Sequence, residues 1–284
     1  MRTGHLFAGG GGGLLADIIL GHTPVFAVEW DTNCCTALRL RAEDGWFPGL
    51  HVHEGDVRMF NPSDWAGRVD CLHAGFPCQD ISVAGRGAGI SGERSGLVSE
   101  VFRAIDAIHP RFVFLENSPQ IRTRGRHVVI GELVARGYAW RDGILAAADV
   151  GAWHDRDRWW CLAANADGLR QLEQEGGQQD LWRWAHHGAQ EDADAMRPGR
   201  PDGGGIAAAE AGRDIGRPAD VALGQRVGAR CATWFEAEPD VGRLVYGLAD
   251  DMVPGAVKAL GNGQVPLQAA TAYLLLGGIT GGDA

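Results

Sequence analysis

Val69-Asp70-Cys71-Leu72-His73-Ala74 runs straight into Gly75-Phe76-Pro77-Cys78-Gln79-Asp80-Ile81-Ser82. The first six residues read as a short buried strand. It stops in a Gly-Phe-Pro turn that carries a cysteine at its tip. Pro77 fixes its own φ and drives Phe76 out of the helical region, so the thiol of Cys78 sits on a stiff loop at a strand end. In open α/β sheets, strand ends are where ligands bind. A cysteine there is a candidate nucleophile, because even a small thiolate fraction is reactive. The plainer alternative is a small apolar residue packed beneath a loop.

Working outward, strands and helices alternate. Residues 1–8 read as a strand, followed by the run Gly9 to Gly13 and then by a helix from Leu14 to Leu20 that Gly21 caps. Val25 to Val28 is a second buried strand, ending in Glu29-Trp30-Asp31, and Thr32 to Ala42 a second helix. His51-Val52-His53 leads to a third strand end at Gly55-Asp56-Val57. Downstream of Cys78, a Gly-rich stretch precedes Arg94-Ser95-Gly96-Leu97, which opens a helix to about Ile108. Phe112 to Leu115 is another buried strand, ending in Glu116-Asn117-Ser118. A helix from Val128 to Arg136 and strands near Trp140 to Ala147 and Arg158 to Ala163 follow. Alternation of this kind implies βαβ units and a mostly parallel sheet.

The character changes at Asn165. From there to Asp240 the chain is rich in Gly, Ala, Gln, Asp and Arg, with 14 acidic residues against 8 arginines. Trp182, Trp184 and Trp234 indicate that part of it packs. Order returns at Gly261-Asn262-Gly263-Gln264-Val265-Pro266 and an apolar helix to Leu276. The expected organisation is a catalytic unit at 1–164, an inserted unit at 165–240, and a segment at 241–284 that returns to pack beside the first strand.

The 284 residues suit one large domain with an insert, or two domains. No apolar run reaches the roughly 18 residues of a membrane span, and Met1 to Phe7 lacks the pattern of a secretory leader. The six cysteines show no Cys-x-x-Cys spacing, so neither zinc nor a disulfide framework is indicated. A cytoplasmic protein with reduced thiols is expected. The net charge of −10 speaks against a generic nucleic-acid coat, though a cleft with local positive potential is compatible with it. Lys258 is the one lysine among 26 basic residues. Arginine suits bidentate phosphate and guanine contacts.

Taken together and in this order, these blocks resemble the DNA (cytosine-5) methyltransferases, over residues 1–163 and 241–276. The octet from Gly75 resembles their catalytic motif. The resemblance implies an α/β fold of the Rossmann-like, S-adenosylmethionine-dependent methyltransferase type with a small inserted target-recognition domain. It makes Cys78 the nucleophile at carbon-6 of cytosine and Glu116 the acid near ring nitrogen-3. Arg156 is placed against the reacting base, and Arg158 supports the catalytic loop. The cofactor implied is S-adenosylmethionine. Phe7, Gly9, Gly10 and Gly11 would line its approach, Glu29 would accept from the ribose hydroxyls, and Trp30 would stack on the adenine. Asp56 and Val57 would meet the adenine edge, with Pro77 and Leu97 nearby, and Asn262, Gly263 and Gln264 would hold the carboxylate. No metal is implied.

The chain departs from the family pattern at His5, where an aspartate is usual, and at Trp153-His154, where Pro-Gln is usual. The substrate implied is duplex DNA with a flipped-out cytosine, so the chain is expected to act in DNA methylation, as a monomer, in functional pairing with a restriction endonuclease. An RNA cytosine-5 methyltransferase would share every catalytic residue. A silent DNA-binding relative would share the fold, though intact Cys78, Glu116 and Arg156 speak against it. A nicotinamide oxidoreductase would explain the glycines and Glu29 but not the octet.

Overall fold

A computed structural model describes residues 1–77, 96–152, 154–176 and 263–281. Cys78 and Asn262 lie outside these residues. In chain order the elements are β1 (Arg2–Leu6), α1 (Gly12–Leu20), β2 (Thr23–Glu29), α2 (Thr32–Glu43), β3 (His51–Glu54), β4 (Cys71–Gly75), α3 (Val98–Ile108) and β5 (Phe112–Asn117). They continue as α4 (Ile121–Arg124), α5 (Arg126–Ala135), β6 (Ala139–Leu145), β7 (Arg158–Ala164), α6 (Ala166–Gly176) and α7 (Pro266–Leu275).

The strands form one seven-stranded sheet in the order β3-β2-β1-β4-β5-β7-β6. β3, β2, β1, β4 and β5 are parallel. β7 runs antiparallel to both of its neighbours. The expected mostly parallel α/β sheet is therefore present, and the reversed strand has a consequence for the site: it starts where its antiparallel neighbour β5 ends.

Side chains alternate across the sheet as a period of two requires. In β7, Trp159, Cys161 and Ala163 pack into the core with α3 and α5, while Trp160, Leu162 and Ala164 pack with α7 on the opposite face. Both faces are covered, which is why β5 and β7 carry near-continuous apolar runs. α3 buries Val98, Val101, Phe102, Ile105 and Ile108, one stripe at helical spacing.

Three details differ from the sequence reading. The helix expected at Val128 starts earlier, and Gly125 divides it into α4 and α5. Only buried Ile121 anchors the first piece, so no apolar period announces it. Residues Ala166–Gly176, expected in the insert, form a helix on the catalytic sheet: Leu172 joins the core, and a Cβ on Gly168 would come within 2.5 Å of the Arg111 carbonyl. α7 does return, but its main packing is on α1 and β7. Its Ala269, Ala270 and Ala272 allow a close approach to Ala16 and Leu20.

Candidate active site

The strand order reverses direction between β1 and β4, which opens a crevice at their carboxyl ends. All five parallel strands deliver an expected site residue to that edge. β1 leads into Phe7 and the glycines, β2 ends on Glu29, β4 leads into Pro77, and β5 carries Glu116 one residue before its end. β3 is followed after one turn residue by Asp56.

On the β1–β2 side, Phe7 (φ 58°), Gly9 (φ 55°) and Gly11 (φ 94°) turn the chain into α1 through the left-handed region. Phe7 holds that conformation without being glycine, a strain of the kind found at binding loops. Glu29 fastens this turn. Its Oε2 accepts from the Gly9 amide at 2.7 Å, and its Oε1 accepts from the Trp30 and Asp31 amides at 2.9 and 2.8 Å. An ionised carboxylate has about four acceptor positions. Roughly one therefore stays open for a hydroxyl, fewer than the two expected. Trp30 is 71% exposed, an indole face presented beside that carboxylate. Cβ atoms built on Gly9 and Gly10 would meet nothing within 4 Å.

Asp56 caps the short turn Val57–Met59 and grips the guanidinium of Arg58. That contact, with the Arg58 backbone amide, holds its carboxyl down at about 2. Val57 is buried beneath, Leu97 packs at the edge of the same core, and Pro77 is exposed. An open floor, a free aromatic face and an acceptor carboxylate fit the adenosine half of S-adenosylmethionine.

The second pole lies at β4–β5–β7. Gly75 and Glu116 are register partners. Arg158, at the start of β7, places Nε 2.9 Å from Glu116 Oε1, and the Gln264 amide hydrogen-bonds the same carboxyl. A Cβ on Gly75 would lie 2.9 Å from Glu116 Oε2 and 3.1 Å from Gln264 Nε2, so this strand position tolerates no side chain without moving both. Burial pushes the Glu116 pKa up, against the pull of Arg158, Gln264 and Arg156.

Arg156 has φ 38°. Its guanidinium donates to the Gly263 carbonyl, and Gln268 Nε2 donates to the Leu145 and Arg156 carbonyls at 2.8 and 2.9 Å. Buried Asn117 donates to the Phe76 carbonyl at 2.8 Å, pinning the turn that leads to Cys78.

The structure thus joins Glu116, Arg156, Arg158, Gly263 and Gln264 at one pole, and Phe7, Gly9, Gly11, Glu29 and Trp30 at the other. Gln264, expected at the cofactor carboxylate, has its amide on Glu116. The two poles touch through Gly12, whose Cβ would come within 2.1 Å of the Gln264 carbonyl. Sequence reasoning missed Gly75, Asn117 and Gln268 as supports. For Asn117, its place directly after Glu116 was an available signal.

A doubly wound sheet with one reversed strand, carrying an exposed indole beside an acceptor carboxylate and a guanidinium-clamped acid at its carboxyl edge, defines a Rossmann-like methyltransferase fold. More narrowly, residues 1–183 match the family of C-5 cytosine-specific DNA methylases, and the chain belongs to it. The Type II methyltransferase M.CviJI of Paramecium bursaria Chlorella virus IL3A is 34% identical over 171 residues, 58% of this chain and 44% of that protein. The Type II methyltransferase M.HaeII of Haemophilus aegyptius is 31% identical over 161 residues, 55% of this chain and 48% of that protein. The chain thus spans under half the length of these relatives. The S. pombe Dnmt2 methyltransferase structure aligns with a TM-score of 0.48 at 19% identity, over 63% of this chain and 57% of that one. Among the described residues no helix is long and apolar enough to cross a membrane.

Proposed function

We propose that this chain transfers a methyl group from S-adenosylmethionine to carbon-5 of a flipped-out cytosine in a specific duplex DNA sequence, through a covalent adduct with Cys78. The observation that carries the reading is the half-buried Glu116, held by Arg158 and Gln264 one strand away from the Phe76-Pro77 turn that precedes Cys78.

Cytosine carbon-5 is a weak nucleophile. The Cys78 thiolate adds to carbon-6 and forms a carbon–sulfur bond. The ring electrons then shift toward nitrogen-3 and carbon-5. A carboxyl with a raised pKa keeps a proton to share with nitrogen-3, and this is the role assigned to Glu116. Arg158 orients that carboxyl, and Arg156 faces the base. The cofactor, held by Glu29, Trp30, Asp56, Val57, Leu97, the Gly9–Gly11 turn and Asn262, supplies an electrophilic methyl group. Loss of the carbon-5 proton and departure of the thiolate restore aromaticity and free Cys78.

Sequence choice is assigned to the segment between α6 and residue 240, where a few arginines can read guanine edges even though the net charge is negative. Incubating the purified chain with S-adenosylmethionine and genomic DNA, followed by methylation-sensitive sequencing, tests the proposal. Carbon-5 methylation confined to cytosines in one short context is expected. Methyl transfer to RNA alone, or to adenine, would refute it.

A further inference from the structure

Three imidazoles converge on one buried carboxylate on the α1 side of the sheet. His5 on β1 and His73 on β4 are register partners. Asp17 reaches them from α1, and His22 sits just past the helix C-cap. All four residues are at most 5% exposed. His5 Nε2 lies 2.6 Å from Asp17 Oδ2. His22 Nδ1 and His73 Nε2 lie 3.5 and 3.6 Å from Asp17 Oδ1. These last three atoms make no hydrogen bond among the described residues.

Buried polar atoms left unpaired are costly, and three of them facing one another point to a positive occupant. His22 supports this from its other nitrogen. Nε2 lies 2.8 Å from the Ile279 carbonyl and so carries the proton there. In the neutral ring that leaves a lone pair at Nδ1, turned toward the carboxylate. Ligating histidines are held in this way, with the far N–H anchored on a backbone carbonyl.

We infer that His5, Asp17 and His73 form a buried structural site for one divalent transition-metal ion of the zinc type, bordered by His22. One ligand atom from each of the three lies within 4.8 Å of the others. Small side-chain rotations bring such a set to ligand bonds of about 2.0–2.2 Å. The ion would cross-link β1, α1 and β4, the elements that carry the Gly9–Gly11 turn and the Pro77 turn. The site stands independently of the methyl-transfer reading.

The test uses the full chain without a histidine tag, unfolded in chelator, refolded with Zn²⁺ or Co²⁺, and desalted. Expected are one ion per chain by elemental mass spectrometry and the intense visible bands of four-coordinate cobalt. The melting temperature should exceed that of the metal-free chain by several degrees. Asp17→Asn and His73→Gln should lose the ion. A wild-type chain that emerges metal-free with an unchanged melting temperature overturns the site. So does metal retained equally by both variants, or a near-ultraviolet thiolate-to-cobalt band, which would put the ion on cysteine. If the variants fail to fold, the wild-type metal content and cobalt spectrum decide.

Discussion

Gly75→Ala adds a single methyl group at the seam between the two strands that carry the chemistry. The new Cβ would sit 2.9 Å from Glu116 Oε2 and 3.1 Å from Gln264 Nε2, whereas ordinary contact begins near 3.4 Å. Both atoms must retreat, the carboxylate oxygen by about half an ångström, which loosens the Gln264 hydrogen bond and tilts Glu116 against Arg158. A misplacement of about 1 Å can cost 10²-fold in rate. A shift of half that size predicts a loss of roughly 10-fold in single-turnover methyl transfer. Stability should change little. The displaced atoms are side-chain ends, and alanine recovers roughly 0.5–1 kcal/mol of the backbone entropy that glycine loses in a strand. Rapid-quench transfer of labelled methyl, measured beside thermal unfolding, separates the two effects. Full activity in the variant would refute the claim that Gly75 leaves room for the Glu116–Gln264 contact. A rate loss matched by a collapse in melting temperature would refute it equally.

Asn117→Ala removes the donor to the Phe76 carbonyl and the acceptor for the Ser118 amide, so unfolding free energy should fall by about 1–3 kcal/mol and adduct formation should slow, by denaturant titration and trapping kinetics respectively. Because burial raises the Glu116 pKa, the rate should fall as pH rises through that raised value, and Glu116→Gln should lose both this limb and about 10²–10⁴-fold in rate. The sign for stability is the same: the Glu116 contribution is complete below the ordinary glutamate value of 4.5 and is lost as pH passes the raised one, which melting curves across pH will read. Glu29→Ala should weaken S-adenosylmethionine binding about 10–100-fold by calorimetry, and should also lower the melting temperature, since three backbone amides lose their acceptor.

Most of the fold was legible because β2, β4 and β5 are largely apolar runs stopped by an acid or a glycine. The reading of β2 to Glu29 and of β5 to Glu116 rested on that punctuation, and the strand order then brought these ends together. What stayed hidden acts across the sheet. Gly75 looks like the first residue of a turn until β5 lies beside it and its missing Cβ makes room for Glu116. Gln264 reads as part of a cofactor loop, but α7 docked on α1 brings its amide to Glu116. His5 looked like a simple departure from a pattern. Its partner Asp17 sits on a helix whose apolar neighbours conceal a buried acid, and His73 lies inside what reads as a plain strand. α6 was assigned to the insert because its polar composition continues that of the following chain, and Leu169, Leu172 and the close approach at Gly168 tie it to the sheet.

The covalent step can be observed directly. Duplex DNA carrying 5-fluorocytosine at the target position blocks the final elimination, because fluorine replaces the proton that must leave. With S-adenosylmethionine present, the chain should form a denaturation-resistant complex with this DNA, and peptide mass spectrometry should locate the base on Cys78. Cys78→Ser should form no complex while binding S-adenosylmethionine normally. A complex formed equally by the serine variant, or mapped to another residue, would contradict the proposed mechanism.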